Sequence, residues 1–232
     1  MFDIYYLVLV LPAIIFAMWA SAKVNSTYKK YENVYNSRGI TGAQAARMVL
    51  DRNGLSNVNI ERVSGQLTDH YDPKTNVVRL SDGVYSSTST AAIGIACHEV
   101  GHAIQYAEDY APAKFRMAIV PITNIGSRLA LPLILIGILL SAMSQFSYYF
   151  IYAGIGCFSL STLFQLVTLP TEFNASSRAI MSIEANGILY GDEIQGTKKV
   201  LTAAALTYVA ALAVSVTQLL RLLLIFGGRR RD

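Results

Sequence analysis

The sequence predicts a mainly α-helical membrane protein, with about four transmembrane helices and a small α+β region inserted after the first. Three observations lead to this prediction: 53% of the residues are hydrophobic, only 15% are charged, and the mean hydropathy is +0.40. Soluble domains ordinarily carry about a quarter charged residues. The apolar residues also fall in runs long enough to cross a hydrocarbon layer of about 30 Å as helices.

The apolar runs divide the chain into successive segments. Residues 1–22 are predicted as an N-terminal transmembrane anchor, 23–116 as a soluble α+β region, 117–170 as a transmembrane hairpin, 171–199 as a further helix, and 200–232 as a C-terminal transmembrane helix with a basic tail. The first run ends in an A-x-A-like sequence that also fits a secretory signal. No Lys or Arg precedes this run, which favours a retained anchor.

The soluble region has the pattern of a small folded domain. Thr41 and Gln44 form a capping box that predicts the start of a helix. Turn residues at 72–76 lie between two β-branched stretches and predict a hairpin over roughly residues 63–81. The run over residues 91–104 is apolar on nearly every side, which predicts a buried helix whose few polar side chains need partners.

This buried helix carries the pattern His-Glu-x-x-His. Its histidines, His98 and His102, are one turn apart on one helical face, so both imidazoles can reach one zinc ion. Glu99 projects beside them toward the water that zinc would activate by lowering its pKa to about 7, and a carboxylate can accept the proton of that water. The structural alternative is a pair of core histidines that satisfy each other or a backbone carbonyl.

A catalytic zinc usually has three protein ligands and one open position. No third histidine follows the pattern at the spacing of H-E-x-x-H-x-x-G-x-x-H, so a carboxylate is required. Glu172 is the best placed, because the predicted hairpin of the second and third spans returns the chain to the side on which it began. Glu184 is the alternative ligand, and Glu172 could instead be a first-turn glutamate that stabilises a helix N-terminus.

The remaining composition excludes several classes of protein. The net charge of +4 forms no basic stripe interleaved with aromatic residues, so no nucleic-acid partner is expected. Two cysteines cannot make a disulfide framework, and Cys97 and Cys157 are predicted to be reduced packing residues. Cys97 directly precedes His98, so a ligand or redox role for it stays open.

These motifs resemble the bacterial neutral zinc metallopeptidase family of membrane proteins, the YugP-like family. More distantly they are similar to HtpX-type and CAAX-prenyl-type membrane proteases of the gluzincin type. The matching segments follow an N-terminal span and comprise residues 68–73, 80–81, 96–105 and 169–179. The resemblance implies a zinc metalloendopeptidase with one zinc ion per chain, in which Glu172 matches the third ligand.

The sequence departs from the distant relatives at Ser176, where they carry an aspartate that orients a histidine ligand. The corresponding hydrogen bond is expected from Asn174 or, more weakly, from Ser176 itself. Arg178 is a candidate for stabilising the oxyanion of the tetrahedral intermediate, or else a surface contact. His70 is a candidate for binding substrate or the transition state, although a lone strand histidine is more often structural.

Expected partners are a membrane-associated protein or peptide substrate, the lipid bilayer, and a further copy or an accessory membrane protein. The predicted strand is expected to pair with an extended substrate by β-augmentation through Val77, Val78, Arg79 and Leu80. One rival is a site-2-type protease that cuts inside the bilayer, but the apolar stretch around His98 is short for a span. The other rival, a zinc-stabilised scaffold, would need four protein ligands.

Basic residues predict the orientation of the chain in the membrane. Lys and Arg flank the predicted spans on the side that carries the metal motif, whereas the N-terminus and the break at residues 144–147 have none. The positive-inside rule therefore predicts a cytoplasmic active site. With four spans the basic residues 229–231 would lie on the opposite side, so the side of the C-terminus stays open.

Overall fold

The computed structural model describes residues 3–141 and 146–227, which form a mainly helical protein with one small β-sheet. Four of its helices are long and apolar enough to cross a membrane, so the predicted fold class is confirmed. In chain order, a π-helical turn at Tyr6–Val10 is followed by α1 (Leu11–Tyr31), α2 (Gly42–Arg52), β1 (Asn59–Val63), β2 (His70–Asp72), β3 (Val77–Ser81), α3 (Asp82–Tyr85), α4 (Thr90–Ala107), α5 (Ala111–Leu140), α6 (Ser147–Ala185) and α7 (Asp192–Gly227).

The long helices extend beyond the predicted spans. α1 continues past residue 22 to Tyr31, and α7 begins at Asp192 rather than near residue 200. α6 runs without interruption through Pro170, so the helix predicted to begin at residue 171 is its continuation. A proline removes one helical hydrogen bond, a loss that helices packed against neighbours tolerate.

Two sequence predictions fall partly or wholly outside the described residues. The predicted break at residues 144–147 is described only at Phe146 and Ser147, where α6 begins. The basic tail at residues 229–231 lies beyond the described chain.

The chain divides into two compact units. One comprises Met1–Trp19, Phe115–Leu169 and Thr207–Asp232, and within it α5 and α6 approach closely at small residues. A Cβ added at Gly154 would lie 2.8 Å from the Ala130 carbonyl oxygen. Such small-residue contacts let apolar helices pack by van der Waals interaction where water supplies no driving force.

The second unit comprises Ala20–Lys114 and Pro170–Leu206, and α4 lies in its core. The Ser89 hydroxyl caps this helix by accepting a hydrogen bond from the Ala92 N–H at 3.2 Å. α2 packs on α4, and its capping box at Thr41 and Gln44 is formed as predicted. The buried side chains of α4 include Ile93, Ala96, Cys97, Val100 and Ile104.

The three strands of this unit have the order β1-β3-β2. β2 pairs antiparallel with β3, which confirms a hairpin, but its first strand covers only His70–Asp72. β1 pairs parallel with β3 on the other side, so β3 is the central strand.

At the hairpin turn, hydrogen bonds from the Thr75 hydroxyl and the Lys74 backbone N–H lower the pKa of Asp72 to about 2.

α4 and α6 meet where Gly101 faces Ala175. A Cβ added at Gly101 would lie 2.5 Å from the Ala175 carbonyl oxygen, and both residues are buried. Since no real Cβ contact is this short, the two helices can only approach this closely at a glycine.

We therefore predict that Gly101→Ala destabilises the protein by about 1 to 3 kcal/mol, because the added methyl group overpacks the contact between α4 and α6. The measurement is the thermal unfolding midpoint of the purified protein in detergent. Gly156→Ala is the matched control, because a Cβ there meets nothing within 4 Å. Equal midpoints for the two variants would contradict the close approach of the helices.

Candidate metal centre

Three metal-ligating side chains from α4 and α6 meet in the second unit. His98 and His102 stand one turn apart on α4, with their rings edge to face and the ring centroids 4.8 Å apart. Their Nε2 atoms lie 3.2 Å and 3.6 Å from the same oxygen, Oε2 of Glu172. One ligand atom from each residue lies within 4.8 Å of the others.

The donor set fits a catalytic zinc ion. Two imidazole nitrogens and one carboxylate are typical catalytic zinc ligands, and three protein ligands leave a coordination position open. Glu172 is only 2% exposed, so its carboxylate requires compensating partners, and both imidazoles point their Nε2 atoms at it. Within the described part of the chain, metal-ligating atoms of these three residues lie close enough together to hold a metal ion.

The environment of His102 favours positive charge at this site. Burial by itself would lower the pKa of His102, but the hydrogen bond to Glu172 and the negative charge of Glu99 outweigh burial and raise it. The carboxylates of Glu172 and Glu99 therefore favour a positive charge on the His102 ring.

A chain of hydrogen bonds holds the far side of the His102 ring. His102 Nδ1 donates to Gln105 Oε1 at 3.0 Å, and Gln105 Nε2 donates to the Thr171 carbonyl oxygen at 2.8 Å and to Asn174 Oδ1 at 2.9 Å. Arg178 Nε donates to the same Asn174 oxygen at 2.7 Å. Gln105 is fully buried, so each of its polar atoms needs such a partner.

These hydrogen bonds determine the tautomer of His102. The Thr171 carbonyl can only accept a hydrogen bond and the Arg178 guanidinium can only donate, so the amides of Gln105 and Asn174 have one consistent orientation. Gln105 then presents its oxygen to His102, which must carry its proton on Nδ1. In the neutral ring, Nε2, the atom that faces Glu172, then carries the lone pair that would bind a metal.

The His98 ring has a different partner on its far side. Ser176 Oγ lies 3.1 Å from His98 Nδ1, and a proton on Nδ1 would leave Nε2 free as a ligand. Ser176 is the residue that stands where distant relatives carry an aspartate. Asn174, the other residue expected to orient a histidine, instead contacts Gln105 and Arg178.

Glu99 lies beside the candidate metal ligands and contacts the sheet. Its Oε2 accepts a hydrogen bond from the Tyr71 backbone N–H at 3.0 Å. Tyr71 belongs to β2, which lies at the edge of the sheet, and its ring packs against Tyr106 at 5.7 Å between centroids. Burial raises the pKa of the Tyr71 hydroxyl. The second carboxylate oxygen of Glu99 is not engaged by this N–H.

Several predicted site residues lie outside this cluster. Glu184 forms an ion pair with Lys198 at 2.9 Å, so α6 brings Glu172 and not Glu184 to the histidines. His70 is exposed, and its Nδ1 donates to the Thr68 carbonyl oxygen at 2.8 Å. Cys97 is fully buried in the core, and burial raises the pKa of its thiol to about 12, which makes it a packing residue.

The predicted pairing of substrate with Val77, Val78, Arg79 and Leu80 is wrong for geometric reasons. These residues form β3, whose backbone is paired with β1 on one side and with β2 on the other. Beyond the β2 ladder, Asp69 Oδ1 accepts the Ser81 N–H at 2.7 Å. A central strand has no free edge to offer a peptide.

Arg178 has partners on more than one side. Its Nη1 lies 2.7 Å from Glu108 Oε2, and its guanidinium carbon lies 5.9 Å from the centre of the Tyr110 ring. Its predicted contact with an oxyanion stays a prediction.

Sequence reasoning missed Gln105 and the contact between Glu99 and β2. Gln105 is a polar residue three positions after His102 on an apolar helix, and this spacing was a usable signal. The Tyr71 N–H is a backbone group, so the identity of the residue gives no indication of this contact.

Comparison with known proteins agrees with this geometry. Residues 6–227 match the model of a family described as "Putative neutral zinc metallopeptidase". A curated relative, "Putative membrane protease YugP" from Bacillus subtilis (strain 168), is 48% identical over 227 residues, which cover 98% of this chain and 99% of the relative. No solved structure matches the chain. The chain therefore belongs to the neutral zinc metallopeptidase family.

Proposed function

We propose that this protein is a zinc metalloendopeptidase that cleaves membrane-associated proteins or peptides near the membrane surface, with Glu99 as the general base. The observation that carries the proposal is the meeting of His98, His102 and Glu172 directly beside Glu99. The relative described as a membrane protease supports the substrate class, and the four apolar helices support action at a membrane.

His98, His102 and Glu172 would hold the zinc ion through Nε2, Nε2 and the carboxylate. Bound there, zinc would polarise the scissile carbonyl and lower the pKa of a water to about 7. Glu99 accepts a proton from the attacking water and later delivers it to the leaving amine. The Tyr71 N–H holds Glu99 Oε2. The other oxygen of this carboxylate would then take part in the proton transfer.

The edge strand β2 is the better candidate for pairing with an extended substrate. One side of β2 is paired with β3, and on its other side the Tyr71 N–H points to Glu99. A peptide lying along this edge would run past the general base, which already engages the Tyr71 N–H. His70, also on β2 and exposed, is then a candidate for contact with a substrate side chain.

Gln105, Asn174 and Ser176 act in this proposal as positioning residues. Ser176 orients His98, and Gln105 orients His102 with the support of Asn174. Arg178 acts through Asn174, because its Nε donates to that side chain. Groups of this kind orient the ligand rings and commonly change metal affinity by about 10- to 100-fold.

The two rival functions account for fewer of the observations. A site-2-type protease needs its histidine helix in the bilayer, but α4 is not among the membrane-crossing candidates of the described chain and packs on α2 and the sheet. A scaffold site would close zinc with four protein ligands, whereas three lie together in the described residues.

We predict one zinc ion per chain, lost or strongly weakened in His98→Ala and Glu172→Gln because each removes one of three ligands. The measurement is zinc content per chain by elemental analysis after purification. Glu184→Gln is the matched control on the same helix, since Glu184 pairs with Lys198. Zinc content that falls in Glu184→Gln but not in Glu172→Gln would reverse the assignment of the third ligand.

Glu99→Gln is predicted to fold and to retain zinc while peptidase activity falls by about a hundredfold or more, because an amide cannot accept the proton of the attacking water. Activity is measured as turnover of a fluorogenic peptide or a membrane-protein mixture, beside zinc content. Near-normal turnover in this variant would remove Glu99 from the mechanism. Loss of activity accompanied by loss of zinc would indicate a ligand or folding role instead.

Ser176→Ala is predicted to weaken zinc affinity by about tenfold, because His98 Nδ1 loses its partner. Ser176→Asp should keep or raise the affinity, since a carboxylate is a stronger acceptor for the same N–H. Competition with a chromophoric chelator measures both variants. Equal affinities for Ser176→Ala and the unaltered protein would show that this hydrogen bond does not position His98.

We also propose that the metal centre faces the cytoplasm, on the strength of the basic residues that flank the apolar runs. Arg38→Cys, in a chain with Cys97 and Cys157 replaced by alanine, is expected to stay unlabelled by a membrane-impermeant thiol reagent in intact cells. The same cells made permeable provide the control. Strong labelling in intact cells would place this region outside.

A further inference from the structure

A cavity of about 610 Å³ lies between the later part of α1 and the first part of α7. None of the residues of the metal centre lines it. Its most conspicuous feature is a group of lysines on facing walls. They are Lys23 and Lys30 on α1, and Lys198 and Lys199 on α7. This cavity is called the lysine groove below.

The positive charge of the groove is only partly compensated. Lys198 pairs with Glu184, and Lys30 lies over the Tyr31 ring at 5.6 Å. Within residues 3–141 and 146–227, Lys23 and Lys199 form no ion pair, and no acidic residue lines the groove. Ammonium groups gathered around one cavity repel one another, so the groove favours an anion.

Helical periodicity explains why these lysines share one cavity. Lys23 and Lys30 are seven residues apart on α1, which is two turns and about 10 Å along one face. Gly196 of α7 lies against the Tyr31 ring, where an added Cβ would come within 2.8 Å. This contact brings α7 against the end of α1, with Lys198 and Lys199 in the next turn.

The composition of the groove changes along α7. After the lysines its wall continues with the Thr202 hydroxyl, a possible donor, and then with the apolar side chains of Ala203 and Leu206. A ligand that fits would carry negative charge at one end and hydrocarbon at the other.

The position of the lysines in the sequence indicates where such a ligand comes from. Lys23 directly follows the apolar run that ends at residue 22, and Lys199 directly precedes the apolar run that begins at residue 200. Lysines at the ends of apolar helical segments lie at the level of lipid headgroups. Basic pockets between such helices bind acidic headgroups.

We propose that the lysine groove binds the phosphate of an anionic phospholipid. Lys23 and Lys199 contact the phosphate oxygens, Thr202 donates a hydrogen bond, and an acyl chain lies along Ala203 and Leu206. Phosphate is the shared chemistry of a lipid headgroup and free phosphate, and the apolar part of the wall selects the lipid. This site does not depend on the proposed peptidase reaction.

The test uses the full chain in a nonionic detergent and isothermal titration with dioctanoyl phosphatidylglycerol, dioctanoyl phosphatidylcholine and inorganic phosphate. Phosphatidylglycerol should bind at least tenfold more tightly than the other two, and about 0.5 M NaCl should weaken its binding. The double variant K23Q/K199Q should lose roughly 25-fold in affinity for phosphatidylglycerol. K29Q/K74Q removes the same charge at exposed lysines outside the groove and should change the affinity less than about twofold.

Unchanged phosphatidylglycerol affinity in K23Q/K199Q, or an equal loss in K29Q/K74Q, overturns the site. Inorganic phosphate that binds as tightly as phosphatidylglycerol overturns the lipid as its ligand. Zinc content and thermal midpoint report whether the double variant is folded. If it is not, K23Q and K199Q are measured singly. Each should lose about fivefold in affinity for phosphatidylglycerol, and the absence of any loss in both variants overturns the proposal.

Discussion

The burial of Glu172 between two imidazoles is the interaction on which the rest of the second unit depends. A carboxylate with 2% of its surface exposed is costly unless positive or hydrogen-bonding groups surround it, so α4 must bring both histidines to the carboxylate that α6 carries. The close helix contact at Gly101, which lies between the two histidines of α4, is consistent with that requirement. The carboxylate lies two residues after Pro170, within the uninterrupted α6.

The sequence was most informative where a short segment carries its own signal. The spacing of His98, Glu99 and His102 on an apolar helix predicted the candidate ligands and the candidate general base. The return of a transmembrane hairpin predicted that Glu172 would join the two histidines, and the three side chains do lie together. These predictions need only helical periodicity and a count of spans. The resemblance to known membrane peptidases also favoured Glu172 as the third ligand.

The missed features depend on tertiary neighbours. β3 has the β-branched residues of a strand, but its sequence does not show that β1 would pair with its second edge. The transmembrane hairpin was predicted to end at residue 170, whereas α6 continues through Pro170, because packing in the folded chain offsets the lost hydrogen bond. Gln105 acquires its role only because Thr171 and Asn174 arrive from another helix.

The hydrogen bond between the Tyr71 N–H and Glu99 links the strand proposed to bind substrate to the proposed general base. If a peptide lies along β2 as proposed, it would order that strand, and the same ordering would reduce the freedom of the proposed general base. Binding free energy from substrate residues remote from the cleaved bond would then lower the activation barrier of the chemical step as well as raise the affinity. Truncated substrates would lose kcat, so the length of the peptide in contact with β2 becomes a determinant of rate.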